Sequence, residues 1–122
     1  MGLDMFAYRT KNKLINQVDF ETSDADVEIA YWRKHPDLHG WMEELYYEQG
    51  GTEESFNCVP VQLELEDLQL LKADIEAGAL PKTTGFFFGL SEPDRKHKDL
   101  EFVEAAMKAI AEGDQVYYTS WW

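Results

Sequence analysis

Cysteine is almost absent from this sequence of 122 residues, in which Cys58 is the single thiol. One thiol cannot form an intramolecular disulfide, and it cannot build a metal site from several thiolates. A domain without disulfides is typical of a reducing compartment, so we expect a cytoplasmic protein. No basic residue lies near Cys58 in sequence to stabilise a thiolate, which argues against a nucleophilic role.

Long hydrophobic runs are also missing. A membrane-spanning helix needs about 20 consecutive apolar residues, and no uncharged apolar run approaches that length. The N-terminus from Met1 to Arg9 lacks the basic and apolar segments of a secretory signal. The sequence therefore predicts no membrane span and no membrane partner.

Motifs that would indicate catalysis or cofactor binding are absent. The chain has no Gly-x-x-x-x-Gly-Lys-Ser/Thr phosphate-binding loop, no Gly-x-Ser-x-Gly nucleophile elbow and no calcium-binding loop. We therefore predict no cofactor and assign no catalytic residue.

Positive charge is scarce, because 11 basic residues stand against 24 acidic ones and the net charge is −13. The imbalance is concentrated between His35 and Leu71, where there are nine acidic residues and no Lys or Arg. A field of this sign repels phosphate backbones. The sequence therefore argues against direct binding of nucleic acid.

Residues that can form a hydrophobic core, by contrast, are plentiful, since 44% of the residues are hydrophobic and 14% are aromatic. A chain of this length forms one core, so we predict a single domain over residues 1–122. Apolar residues alternating with polar ones predict strands, and apolar residues at helical spacing predict helices. The predicted order is ββαβαβαβ, with strands at 3–9, 27–33, 55–63, 85–89 and 115–122.

Proline and glycine predict where the helices begin and end. Proline fits the first helical turn, where its missing N–H would have no partner within the helix, and glycine readily adopts the backbone conformation that ends a helix. Helical spacing gives the first helix an apolar stripe of Leu38, Trp41, Met42 and Leu45. These features predict an α+β fold, in which a mixed or antiparallel sheet of about four to five strands is covered by three helices. The predicted helices run from Pro36 to Gly50, from Glu64 to Gly78 and from an N-cap at Asp99 to Gly113.

Several blocks of the sequence form an unusual combination: Gly2-Leu3-Asp4-Met5, Glu28-Ile29-Ala30-Tyr31-Trp32-Arg33-Lys34, Gly85-Phe86-Phe87-Phe88-Gly89, and Tyr117-Tyr118 with Ser120-Trp121. In these blocks, from end to end, the chain resembles a family of small bacteriophage and prophage proteins. Some members carry a phosphoglycerate kinase label, but this chain lacks a phosphate-binding loop and is too short for a two-domain kinase. The resemblance implies a phage or prophage origin and no particular activity.

A first candidate site combines cationic and aromatic residues of these blocks. If the first two strands pair, Asp4 approaches the corner formed by Arg33 and Lys34. Guanidinium groups bind phosphate or carboxylate and aromatic faces stack on planar groups, so this arrangement predicts a pocket for a small molecule or nucleotide. The alternative is that Arg33 pairs with Asp4 while the tryptophans anchor the core. The candidate ligand-binding residues are Asp4, Trp32, Arg33, Lys34, His39, Trp41, Gly85 and Gly89.

A second candidate is a metal site at His35 and His39. On a helix this spacing places two imidazoles on one side, within reach of one zinc or nickel ion, with Asp37 or Glu43 as a carboxylate ligand. Pro36, however, places His35 at the entry of the helix, out of line with His39. The preferred interpretation is that His35 marks the helix entry and that His39 packs beside the tryptophans.

The third candidate is the acidic middle of the chain, represented by Glu43, Glu44, Glu53 and Glu54. A continuous negative surface suits a basic groove on a host or phage protein, where it would mimic DNA phosphates. The alternative is a charge that only keeps the protein soluble. We favour an acidic binding or interaction module; the alternative function is a ligand pocket around Arg33, Lys34, His39 and the Gly85–Gly89 loop, with or without enzymatic activity.

The chain finishes with Trp121 and Trp122. Because terminal residues usually fray, two tryptophans there predict a docked strand or a subunit contact. Docking within the same chain is the preferred interpretation, and the protein is expected to be a monomer or a homodimer.

Overall fold

The computed structural model describes residues 2–83 and 95–122. Within these residues an antiparallel sheet of four strands and three helices form an α+β fold, which confirms the predicted class. The predicted order is matched except at the strand expected at 85–89, which lies outside the described residues. The elements are β1 (Asp4–Thr10), β2 (Val27–Arg33), α1 (Pro36–Glu48), β3 (Val61–Leu63), α2 (Leu65–Ala77), α3 (Lys96–Ala111) and β4 (Gln115–Trp121).

The strands lie in the order β2-β1-β4-β3, and each neighbouring pair is antiparallel. Successive side chains of a strand point to opposite faces of the sheet. One face carries Met5, Trp32 and Tyr118, which belong to the hydrophobic core together with the buried residues of the helices. The opposite face, which we call the open face, carries Phe6, Tyr8, Tyr31, Tyr117 and Trp121.

Helix α1 begins at Pro36, as predicted, and its apolar stripe is buried. Gly40 lies inside this helix, where glycine costs roughly 1 kcal/mol relative to alanine. A Cβ at Gly40 would collide with the side chain of Thr83. The backbone N–H of Thr83 donates to Asp37 Oδ1 at 3.1 Å. The glycine therefore permits the segment around Thr83 to lie directly against α1.

Helix α2 starts after Glu64 and ends before Gly78, as predicted. The backbone N–H of Glu64 donates to Asp67 Oδ2 at 2.9 Å, which satisfies a donor at the start of the helix. Gly78 adopts a left-handed backbone with φ of 66°, a conformation that glycine adopts without a steric cost. Local sequence signals therefore determine both ends of α2.

The prediction that Asp99 is the N-cap of the third helix is wrong, because α3 begins at Lys96 and Asp99 lies within its first turn. The side chain of Asp99 is buried, with 2% of its surface exposed. It accepts hydrogen bonds from Trp32 Nε1 at 3.0 Å and contacts His35 Nε2 at 2.8 Å. The carboxylate therefore binds side chains from other parts of the fold, whereas in an N-cap it would accept from backbone N–H groups of the helix.

The strand predicted at 55–63 is regular only in β3. Cys58 has a left-handed backbone with φ of 61°, and Pro60 has no N–H to donate to a neighbouring strand. The segment still follows β4, because the N–H of Cys58 donates to the carbonyl of Ser120 at 2.8 Å. It therefore accompanies the sheet as an irregular extension of β3.

The C-terminus docks within its own chain, which confirms the preferred interpretation of the two tryptophans. The side-chain amide of Asn57 accepts from the N–H of Trp122 at 2.9 Å and donates to its carbonyl at 2.7 Å. The indole of Trp122 also donates to the carbonyl of Phe56 at 2.8 Å. These bonds place both tryptophans at one end of the sheet.

Candidate functional site

Positive charge gathers at one corner of the sheet, where β1 begins and β2 ends. Asp4 pairs with Arg33 across the two strands, and Arg33 Nη1 lies 3.3 Å from Asp4 Oδ1. Lys34 follows with a left-handed backbone, φ of 56°, and its N–H donates to the carbonyl of Leu3 at 2.8 Å. Asp4 therefore approaches the cationic corner as expected, and it does so through the ion pair with Arg33 that the alternative interpretation predicts.

Gly2 allows the cationic side chains to converge at this corner. A Cβ on Gly2 would lie 2.7 Å from Arg33 Nη2 and 3.4 Å from Lys34 Cε. Arg95, just before α3, donates from Nη2 to the carbonyl of Arg33 at 2.9 Å. Three basic residues therefore meet at one corner of a strongly acidic protein.

A cavity of about 260 Å³ opens at this corner, and we call it the corner pocket. Trp121 is the register partner of Asp4 on β4, and 66% of its surface is exposed. Tyr31, on the open face, donates its hydroxyl to Asp4 Oδ1 at 2.7 Å, and this hydrogen bond is the main reason why the pKa of Tyr31 is raised. The lining residues are Gly2, Asp4, Arg33, Trp121 and Trp122.

Other predicted pocket residues lie in the core. Trp32 donates to Asp99, and Trp41 donates from Nε1 to Asp74 Oδ2 at 2.8 Å. His39 is fully buried, with Nδ1 2.6 Å from the Tyr118 hydroxyl. These three side chains therefore do not line the corner pocket, and neither does Lys34, although it lies at the same corner. Gly85 and Gly89 lie outside the described residues.

The aromatic walls come from Trp121 and Trp122, whose place at the end of the chain predicts only a docked strand or a subunit contact. Alternation along β4 indicates that Trp121 shares a face with Tyr117, but it does not indicate which strand lies beside it. Asp4 and Trp121 are far apart in sequence and meet only through the pairing of β1 with β4. The walls therefore depend on tertiary structure.

The two histidines of the proposed metal site are engaged in different parts of the core. His35 Nε2 lies 2.8 Å from Asp99 Oδ2, whereas His39 Nδ1 contacts Tyr118. Burial lowers the pKa of His39 to about 4. Across residues 2–83 and 95–122, no group of three or more His, Cys, Asp or Glu side chains is arranged to hold a metal ion.

The acidic stretch forms a surface over the end of α1, the following loop and the start of α2. The hydroxyl of Tyr47 donates to the carbonyl of Glu53 at 2.8 Å, which holds the loop against α1. The N–H of Glu53 in turn donates to the hydroxyl of Tyr46 at 3.1 Å. We call this the acidic surface; its members are Glu43, Glu44, Glu48, Glu53, Glu54, Glu64, Glu66 and Asp67.

These carboxylates lie close enough to influence one another. Burial raises the pKa of Asp67, and the charges of Glu64, Glu66 and Glu48 raise it further, against the effect of a backbone hydrogen bond at Glu64. Burial also raises the pKa of Glu43, with a contribution from Glu44. The end of α1 and the start of α2 therefore share one negative field.

In the described part of the chain, none of the ion pairs involves a member of the acidic surface. The pairs instead join Arg9 or Lys11 to Glu112 and Asp114, and Arg33 to Asp4, with further pairs on α3. The negative charge of this surface is therefore left uncompensated by the described cations. No helix among the described residues has the length and apolar character needed to cross a bilayer.

Comparison with protein-family models, with curated proteins and with solved structures finds no match for this chain. The phage or prophage origin implied by the resemblance therefore stays a prediction.

Proposed function

We propose that the protein is an interaction module whose acidic surface contacts a basic surface of a partner protein. The observation that supports this proposal is the run of carboxylates from Glu43 to Asp67, which share a field and form no ion pair with any described cation. Complementary charge accelerates association and selects partners of opposite sign. Under the phage resemblance, the partner is a host or phage protein.

An exposed aromatic side chain lies within the same surface. Tyr47 has 42% of its surface exposed, and burial together with the charges of Glu43 and Glu53 raises the pKa of its hydroxyl. Tyrosine is enriched among the residues that contribute most to protein–protein binding. We therefore expect Tyr47 to contact the partner within the acidic surface.

The test uses an immobilised oligolysine peptide as the basic probe, with binding measured at low and at high salt. The wild-type protein should bind at low salt and be released at high salt, because screening weakens exposed charge pairs. The variant Glu44→Lys with Glu54→Lys should bind at least about tenfold more weakly, since both side chains belong to the acidic surface.

The matched control is Glu101→Lys with Glu104→Lys on α3, which changes the net charge by the same amount outside the acidic surface. These side chains are 66% and 71% exposed, so their substitution should leave the fold intact. The control variant should lose less than about threefold in affinity if the acidic surface is the contact site. Equal losses in the two variants would show that only net charge matters and would overturn the proposal.

A second candidate function is supported by the corner pocket. The guanidinium of Arg33 is half exposed beside the exposed indole of Trp121, and this combination suits a small planar anion such as a nucleotide. We propose this pocket as a ligand site that is independent of the acidic surface.

The corner pocket is tested by thermal unfolding with AMP. Bound nucleotide should raise the melting temperature of the wild-type protein, and Arg33→Ala should abolish this rise because the anion loses its guanidinium partner. The control is Arg9→Ala at the other end of β1, which removes an arginine paired with Asp114 but should preserve the rise. A rise that survives Arg33→Ala would exclude this pocket as the nucleotide site.

A further inference from the structure

A second cavity, of about 380 Å³, lies on the open face at the far end of β1 from the corner pocket. It shares no lining residue with the corner pocket or the acidic surface. The segment between β1 and β2 folds over the open face and forms one wall. We call this cavity the aromatic pocket; its lining residues are Tyr8, Phe20, Thr22, Ser23, Asp24, Asp26, Cys58, Pro60, Tyr117 and Thr119.

Three aromatic rings meet at the aromatic pocket. The rings of Tyr8 and Tyr117 are stacked, with centroids 5.4 Å apart and planes inclined by 28°. The ring of Phe20 stands edge-on to Tyr117, with centroids 5.3 Å apart and planes inclined by 81°. The face of an aromatic ring carries partial negative charge and attracts cations. Tyr117 is buried, with 1% of its surface exposed, so the partly exposed rings of Tyr8 and Phe20 are the ones available to a cation.

The charged groups of the aromatic pocket are all acidic. None of the described residues that line it is Lys, Arg or His. Burial opposes the charge of Asp26, but hydrogen bonds from Thr10, Tyr117 and the backbone of Ser23 outweigh burial and lower the pKa of its carboxyl. Asp26 is therefore ionised at neutral pH, and its Oδ2 lies 2.6 Å from the Tyr117 hydroxyl.

Asp24 provides a carboxylate that the described residues leave available. It is exposed, and no hydrogen bond or ion pair within residues 2–83 and 95–122 uses its side chain. The turn that carries it is held in place, because the N–H of Ser23 donates to Asp26 Oδ2 at 3.1 Å and the N–H of Asp26 donates to the carbonyl of Ser23 at 3.1 Å.

We propose that the aromatic pocket binds an organic cation, namely an ammonium or guanidinium group carried on an alkyl stem. The rings of Tyr8 and Phe20 contact the cation and its methyl or methylene groups, while Asp24 and Asp26 balance its charge. Such a cation is found both in free amines and in the lysine or arginine side chains of a partner protein. The net charge of −13 attracts either source.

The first experiment compares choline with 3,3-dimethylbutan-1-ol, its uncharged carbon analogue, by NMR titration of the full chain. Choline should shift the amide signals of Thr22, Ser23 and Asp24 at millimolar concentration, and the uncharged analogue should not. Equal binding of the two compounds, or shifts confined to other parts of the chain, would overturn the proposal.

Variants separate the two contributions to binding. Asp24→Asn should weaken choline binding by about fivefold, and Phe20→Leu by about two- to fivefold, because each loses one attraction for the cation. The matched control is Glu21→Gln, which removes one exposed charge from the same segment without altering the lining. If Glu21→Gln weakened choline binding as much as Asp24→Asn does, binding would follow net charge alone, and the assignment of the cation to the aromatic pocket would be overturned.

A final comparison identifies the source of the cation. The blocked peptide acetyl-Gly-Lys-Gly-amide presents a lysine side chain without free termini. If it binds the aromatic pocket more tightly than choline, the cation comes from a protein partner, and the opposite order indicates a free amine. Failure of both compounds to shift the pocket signals overturns the proposal without affecting the acidic surface.

Discussion

His39 is a polar side chain held inside the hydrophobic core. Its ring centroid lies 4.9 Å from that of Phe56, and its Nδ1 contacts the hydroxyl of Tyr118 at 2.6 Å. Burial lowers the pKa of His39 to about 4 and raises the pKa of Tyr118 well above its ordinary value. Both groups are therefore uncharged at neutral pH, and the pair satisfies polar atoms that would otherwise be costly to bury.

The lowered pKa of His39 predicts that acid destabilises the protein. Between about pH 6.5 and pH 4 the unfolded chain protonates this imidazole while the folded chain does not, so stability falls as the pH falls. The free energy of unfolding contributed by His39 should drop by about 2 kcal/mol between pH 7 and pH 5. Urea unfolding of wild type and His39→Gln at the two pH values measures this drop.

Two carboxyl groups act in the opposite sense. The pKa values of Glu43 and Asp67 are raised, so these carboxyls stabilise the folded state as the pH falls. The comparison between variants removes their contribution, since both proteins contain them. Gln69→Ala on the exposed surface of α2 is the control, because it removes no titratable group, and it should show the wild-type drop. An equal drop in His39→Gln would show that His39 does not cause the acid sensitivity.

At the scale of elements, the carboxylate of Asp99 joins three parts of the fold. It lies on α3, accepts from the indole of Trp32 on β2, and contacts His35 at the entry of α1. The ring of Phe102, one turn further along α3, meets the ring of Trp32 edge-on at 4.9 Å. The position of α3 on the sheet therefore depends on a polar contact and an aromatic contact made with the same tryptophan.

Replacing Asp99 tests this junction. Asp99→Ala leaves the indole N–H of Trp32 without its acceptor in a buried site, so the free energy of unfolding should fall by about 3 kcal/mol. Asp99→Asn retains an oxygen acceptor and should lose less. Glu104→Ala, an exposed substitution on the same helix, should cost less than about 0.5 kcal/mol. A similar cost for Asp99→Ala and Glu104→Ala in urea unfolding would contradict the role of the junction.

Element boundaries could be predicted where one residue determines them locally. Pro36 begins α1 and Gly78 ends α2 because each has a backbone preference that does not depend on distant contacts. The start of α3 could not be predicted in this way, because Asp99 resembles a cap in sequence while its carboxylate has tertiary partners. The short β3 follows partly from Pro60, which lacks an N–H, and partly from the left-handed backbone at Cys58, which its residue type does not indicate.

At the scale of the whole molecule, the acidic surface, the cluster of basic residues and the aromatic open face occupy different places. The acidic surface occupies the end of α1 and the start of α2, while basic residues meet at the corner pocket near Arg33. The open face joins the corner pocket to the aromatic pocket through the rings of Phe6 and Tyr8, whose centroids are 6.2 Å apart. The three proposed sites therefore have no residue in common.

The sequence by itself determined the class of fold, the helices α1 and α2, the strand β2 and the excess of negative charge between His35 and Leu71, because these are properties of composition and local spacing. The tertiary structure alone decided which side chains meet. Antiparallel pairing of β1 with β4 places Trp121 beside Asp4, and the packing of the helices on one face buries Trp32 and His39. Alternation along a strand shows that its two faces differ, but only the packed sheet determines which face the helices cover and which strand lies alongside.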